Sequence, residues 1–329
     1  MAEATVTRIE FPNFSGMLFR KGQSRTPFST LIGAMPLTTN HAEFATGVFY
    51  NAATGSQPSI SEEASLTAPA AKPVSRTQKT NVTQIFQQKV SVSYAKESDM
   101  GTLSGVNAAG AKANPASELT FQVSCAMDQI AADIEYSFLR GVYKKAASKD
   151  EANQTCGLLN AIETNVIPIA GSDGTGTALT YWVVAKALAA IRAQGGDTNN
   201  IVLGVAPAAA LQLNKDASNN QYMQDVVTMM GLNVQRVVTP LGVVNVSILD
   251  TLAAQGEERT NSAVLFNPAE IHPVFQPVPG KGNFFLEPLA KTGAGNDYQI
   301  FGQAGLDFGA EFHAAKITGI SNDLPTGTL

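Results

Sequence analysis

The longest regular pattern in the chain lies between Asn114 and Lys145. Apolar side chains recur there at Leu119, Val123, Met127, Ile130, Ile134, Phe138 and Val142. Steps of three and four residues keep these side chains on one face of a 3.6-residue helix. Asn114 is placed to cap the start, and Pro115 suits the first helical position. Glu118 near the start and Arg140, Lys144 and Lys145 near the end complement the helix dipole. The pattern predicts one helix over about 114–145, ~45 Å long at ~1.5 Å per residue. Cys125 falls near its apolar face and reads as a buried thiol. Asp128, Asp133 and Glu135 read as its polar face.

Ahead of the helix the period shortens to two. Glu43 to Tyr50 is a candidate strand, and Thr80 to Ala95 is strongly β-like, with Val90, Val92 and Tyr94 alternating against Ser91, Ser93 and Ala95. Between them, Asn51 to Ser75 is rich in Ala, Ser, Thr and Pro. The pattern predicts a long two-stranded hairpin with an irregular tip. A lone hairpin is marginal in water, so this one needs a surface to lie on. Residues 1–40 carry Phe11, Phe14, Leu18 and Phe19 without a sustained period, which predicts an extended arm packed on this chain or a neighbour. A short helical piece is placed at Pro27 to Met35.

Beyond the helix, residues 148–176 are loop-like, with a short helix near Gly157 to Thr164. Residues 177–260 read as an α/β unit. A helix runs from Thr180 to Arg192 and stops at Gly195-Gly196, and a buried strand covers Ile201 to Val205. Another helix starts at Pro207, and strands Val234 to Val238 and Val243 to Leu249 flank a turn at Pro240-Leu241-Gly242. The remainder is strand-rich: Ala263 to Phe266, Ile271 to Gln276, Phe284 to Leu289, Gln299 to Phe308 and Glu311 to Ile320.

Composition narrows the class. The chain has 329 residues and is 44% hydrophobic, so it is globular and can bury a sizeable core. Only 15% of residues are charged, against a usual ~25%. Extensive cover by other subunits is one cause of so little surface charge. With a net charge of -5 the chain as a whole is no obvious nucleic-acid binder. Two cysteines, Cys125 and Cys156, form no disulfide framework. No apolar run approaches ~18 residues, and there is no signal-peptide pattern.

The chemistry of an enzyme is hard to find. His41, His272 and His313 lack partners at metal-ligand spacing, and neither a cofactor nor a metal is expected. The stretch from Gly171 to Gly176 is glycine-rich but lacks the Lys-Ser/Thr ending of a phosphate loop, so it reads as a flexible linker. Asn81-Val-Thr83 fits a glycosylation pattern that has no meaning without export. An α/β enzyme built on 177–260 stays open as an alternative, because acid–base sites can assemble from scattered carboxylates.

The order of parts resembles tailed-phage major capsid proteins of the Hong Kong 97-like fold. Several strings carry the likeness: Arg25-Thr-Pro-Phe-Ser-Thr-Leu-Ile32, Asn81-Val-Thr-Gln-Ile-Phe86 with Val90-Ser-Val-Ser93, Cys156-Gly-Leu-Leu-Asn-Ala-Ile162, and Gly305-Leu-Asp-Phe through Phe312-His-Ala-Ala-Lys-Ile317. Ile134 to Gly141 departs from the family wording. The resemblance implies an α+β fold with an N-arm (1–40), an E-loop (41–95), a P-domain with the spine helix (96–176), an A-domain (177–262), and closing P-domain strands with a tail (263–329). It implies a structural, non-enzymatic shell protein that forms pentamers and hexamers of an icosahedral head in the host cytoplasm. The same fold also serves nanocompartment shells. Implied partners are further copies of itself, a portal, a separate scaffold or decoration protein, and packaged double-stranded DNA bound non-specifically; no membrane is implied. Phe49, Tyr50, Val82, Ile85 and Phe86 are expected in the clasp on a neighbour. Glu257, Glu258 and Arg259 are expected in contacts around the symmetry axis.

Overall fold

The computed structural model describes residues 26–52, 55–71, 73–98, 118–169, 171, 176–220, 223–229, 232–256, 258–291 and 293–324. Two sheets and one long helix organise them. The helix spans Glu118–Arg140, and Ala126, Ile130, Phe138 and Leu139 are buried along it. They pack with Phe86, Val90, Val92, Ile300 and Ala304, which project from the sheet beneath.

The helix ends five residues earlier than the periodicity predicts. The helix ends at Gly141, where the absence of a Cβ lets another segment approach: a Cβ there would overlap the Ser137 carbonyl and lie 2.5 Å from that of Thr155. The chain then crosses close to itself, with the Gly157 amide donating to the Gly141 carbonyl at 2.8 Å. Asn160 Nδ2 donates to the carbonyls of Arg140 and Gly141 at 3.0 and 2.9 Å, satisfying helix-end acceptors from another segment. Val142, past this stop, is exposed. Cys125 is exposed too, correcting the buried-thiol expectation. The buried stripe runs through its neighbour Ala126 and then Ile130, and one residue is a turn of ~100° around a helix.

Glu135 departs from its polar-face assignment in the other direction, being only 2% exposed. Its carboxylate accepts from the amides of Phe28 and Ser29, both at 2.8 Å, and from the Ser29 hydroxyl at 2.6 Å. These are the first residues of the short helix Pro27–Ile32, whose own N-cap, Thr26, makes no side-chain bond. Burial pushes the Glu135 pKa up, while the Ser29 and Phe28 donors act against it. Phe28, Leu31 and Ile32 are buried, and the Phe28 ring meets Phe266 edge-on at 5.2 Å. The start of the described chain is thereby fixed to the spine helix.

A five-stranded sheet is centred on Gly295–Asp307. Gln84–Ser93 pairs antiparallel along one edge of that strand. Phe284–Pro288 and His272–Phe275 share its other edge. Leu37–Thr38 adds a short parallel strand beyond His272–Phe275.

The seven-stranded sheet runs in the order Val166–Pro168, Ala315–Ser321, Thr260–Phe266, Ile201–Val205, Gly242–Ile248, Leu232–Thr239, Met223–Met229. Helix Tyr181–Ala193 covers one face with Val184, Ala187, Leu188 and Ile191, joined by Ala209 and Leu213 of helix Pro207–Asn220. The alternation of strand side chains divides two cores. Leu203, Ala263 and Leu265 face these helices, while Val202, Val264 and Phe266 belong to the core of the spine helix. Thr260–Phe266 runs across the boundary expected at 262, and Ala315–Ser321 joins the same sheet. The late strands thus complete both lobes.

Candidate assembly surfaces

The β-like run read as one arm over Thr80 to Ala95 is two strands. Thr77–Val82 pairs with Glu43–Phe49 as a two-stranded ribbon, and Gln84–Ser93 belongs to the five-stranded sheet. The break at Thr83 is held by its amide, which donates to the Ala42 carbonyl at 2.8 Å, and by its hydroxyl, which donates to Gln276 Oε1 at 2.8 Å.

This split relocates two expected clasp residues. Phe86 faces inward under the spine helix at 5% exposure, and Val82 is buried at 1%. Neither has surface to offer a neighbour. Ile85 alternates to the opposite face and is 58% exposed. Phe49 is half-buried, its ring edge-on to Phe312 at 5.1 Å. Tyr50, the next residue, is 66% exposed.

From Tyr50 to Gln78 every described residue is exposed. The short helix Glu62–Ser65 lies in this stretch, capped by Ser61 accepting from the Ala64 amide. The apolar side chains of Ile60, Leu66 and Val74 project from it into solvent, Leu66 at 84% exposure.

The base of the ribbon is tied to its own chain. Asn81 is fully buried, and Nδ2 donates to Leu306 O at 2.7 Å, Thr155 Oγ1 at 3.1 Å and Cys156 O at 3.2 Å. Its Oδ1 accepts from the amides of Val82 and Cys156 at 2.9 and 2.8 Å. One side chain therefore joins the ribbon, the segment after the spine helix and the central strand Gly295–Asp307. Its burial also leaves the glycosylation pattern inaccessible. At the surface, Lys145 Nζ reaches Glu43 at 2.6 Å, and Lys79 Nζ reaches Glu163 at 3.0 Å and Glu311 at 3.8 Å. Burial raises the Glu311 pKa, but donors from Thr164 and Glu163 together with the Lys79 charge outweigh it, so the net direction is down.

At the opposite lobe, Glu257 lies outside the described residues. Glu258 is held by Arg140 Nη1 at 2.9 and 3.1 Å, which lowers its pKa. Arg140 also donates to the carbonyls of Thr251, Leu252 and Ala253. Glu258 therefore fastens its loop to the spine helix within one chain. Arg259 beside it is exposed.

Among the described residues no three His, Cys, Asp or Glu side chains converge to hold a metal, and no helix is long and apolar enough to cross a membrane. The Cys156 thiol is pushed up by burial and by the nearby Glu163 charge, opposite to the activation of a nucleophile. Most of the glycine-rich stretch at 171–176 lies outside the described residues. A cleft of about 430 Å³ opens beside Thr180 and Asp216. Its Gln212 is committed to Leu179 N, Ser321 O and Asp323 O.

A spine helix on a sheet, a second lobe sharing its late strands, and a hairpin that leaves the body define the class of Hong Kong 97-like shell proteins. Solved structures agree on the fold. The cyanophage A-1(L) capsid matches with a TM-score of 0.60 and 13% identity over 97% of this chain and 99% of that one. A gene-transfer-agent (GTA) particle capsid matches at 0.56 and 12% over 97% and 98%. The SrpI encapsulin of Synechococcus elongatus PCC 7942 matches at 0.59 and 11% over 95% and 96%. Within that class the chain belongs to the SU10 major capsid protein family, whose model matches residues 2–321. No curated protein matches it. The chain is thus a phage head shell protein, a component of the capsid built from many copies of itself.

Proposed function

We propose that this chain closes an icosahedral head around double-stranded DNA as pentamers and hexamers, with residues 50–76 of each copy lying on a neighbour. The observation that carries the reading is the exposure of every described residue from Tyr50 to Gln78, with Ile60, Leu66 and Val74 all more than two-thirds exposed. Apolar side chains in such a loop gain ~25 cal/mol for each Å² that a second copy covers. Tyr50, Ile85 and the outer part of Phe49 are the contact residues retained for this clasp. Arg259, on the loop fastened by Glu258, is the contact retained for the symmetry axis. The role is structural rather than catalytic. A portal, a separate scaffold or decoration protein, and DNA held through unspecific contacts complete the assembly, which takes place in the host cytoplasm.

Expression of the chain, followed by size-exclusion chromatography and negative-stain imaging, tests the reading. Rings or closed shells are expected, and a monomer of 34.5 kDa would overturn it. Nucleic acid rather than protein cargo in purified particles separates a phage head from a nanocompartment. Deleting 51–75 removes the loop and spares its base, so capsomers should persist while closed shells disappear.

A further inference from the structure

The ribbon bends where its fixed base gives way to the exposed loop. Pairing between Glu43–Phe49 and Thr77–Val82 slips between Thr46 and Phe49. Such an irregularity bends and re-aims the strand that carries it. Gly47 lies in the slip with φ +50°. Its backbone rests directly on another turn: a Cβ on Gly47 would overlap the Gly309 carbonyl and lie 3.2 Å from Ala310 N. Gly309 has φ +59°, and a Cβ there would overlap the Glu270 carbonyl. Three backbone segments are stacked with no side chain between them. Just beyond, the Phe49 and Phe312 rings meet edge-on, and Lys79 on the paired strand reaches Glu311.

We propose that the Gly47–Gly309 contact is a positioning seat: it fixes the direction in which residues 50–76 leave the subunit, and that direction sets the curvature of the assembled shell. The proposal rests on the reading that this loop clasps a neighbour. Leverage makes the seat consequential. Half of the loop, ~13 residues, reaches about 40 Å if extended at ~3.3 Å per residue. A tilt of ~10° at the base then moves the tip by ~7 Å, more than the ~4.8 Å between adjacent strands. Contacts at the tip would have to form elsewhere on the neighbour.

Two variants add the missing Cβ. Gly47→Ala brings both backbone strain and the collision. Gly47→Asn tolerates positive φ better and keeps the collision. Gly195→Ala is the control, since Gly195 has φ +87° and open space where a Cβ would go. The readout is the diameter distribution of particles imaged beside the wild type. Both Gly47 variants should give particles of changed diameter or open sheets, and Gly195→Ala the wild-type diameter. Wild-type diameters from both Gly47 variants would overturn the seat. If the Gly47 variants do not fold, Phe312→Leu loosens the same seat without adding an atom. A broadened diameter distribution is then expected, and a wild-type one would overturn the proposal. Failure of the wild-type chain itself to form particles sinks the clasp reading instead, so the two failures are distinct.

Discussion

The base and the tip of one hairpin are built on opposite terms. At the base, Asn81 is fully buried and makes five hydrogen bonds to three parts of the chain. At the tip, Leu66 is 84% exposed, and the side-chain bonds beside it are local: Ser61 accepts from the Ala64 amide and the Ser65 hydroxyl donates to the Glu62 carbonyl. Within fifteen positions the chain thus passes from a buried hub to side chains that stand mostly in solvent. The difference teaches where the subunit places its own contacts: they fix the base of the loop, and on the clasp proposed above the apolar surface of the tip is left for another copy.

Three substitutions sharpen this contrast, in falling order of effect on the subunit. Asn81→Ala leaves the carbonyls of Leu306 and Cys156 and the amides of Cys156 and Val82 short of partners in a buried site. A loss of about 3–5 kcal/mol is expected in denaturant unfolding of the dissociated subunit. A loss under ~1 kcal/mol would mean that water or the ribbon readily repairs the hub.

Glu311→Gln removes a carboxylate whose folded pKa is lowered from 4.5 by its donors despite burial. Its stabilisation is present above pH 4.5 and fades as pH falls through the lowered folded value. The acid limb of the stability profile should therefore be shallower in the variant than in the wild type. Glu135 works in the opposite sense, because its pKa is raised and its protonated form is favoured by burial. An unchanged acid limb would show that Glu311 is not a principal acid-sensitive tie.

Leu66→Ala is the smallest change to the subunit, within ~0.5 kcal/mol, because an exposed side chain loses no packing. Its effect belongs to assembly, as a higher subunit concentration needed to form shells. Equal assembly thresholds for variant and wild type would place Leu66 outside the contact.

The sequence pattern exposed some of this and concealed the rest for physical reasons. The spine helix was legible because one of its faces is apolar, although Met127 and Val142 of that pattern are exposed, and the strand Ile201–Val205 because both of its faces are buried. The end of the helix was not, since Lys144 and Lys145 mimic a helix terminus while the stop is made by Gly141 and by Asn160 from a later segment. Ile85 and Phe86 were both expected in the clasp, although consecutive strand residues face opposite ways; which of them met the core depended on pairing with 295–304, some 200 residues away. Glu135 looked like surface charge because its partners Phe28 and Ser29 lie 107 and 106 residues distant. The loop 50–76 was legible through its lack of large apolar residues, and its direction was not, since that rests on backbone contact between Gly47 and Gly309.

The strand Ala315–Ser321 has a consequence in time as well as space. It is inserted between Val166–Pro168 and Thr260–Phe266, and Thr260–Phe266 lines both cores. The core of the spine helix waits for Ala314 and that of the seven-stranded lobe for Ile320, so neither is finished until almost the last described residues have emerged, however early the spine helix forms. Pairings this distant in sequence are slow to close. A nascent chain that has not yet exposed this strand therefore presents an open seven-stranded sheet, with Thr260–Phe266 lacking one of its two neighbours.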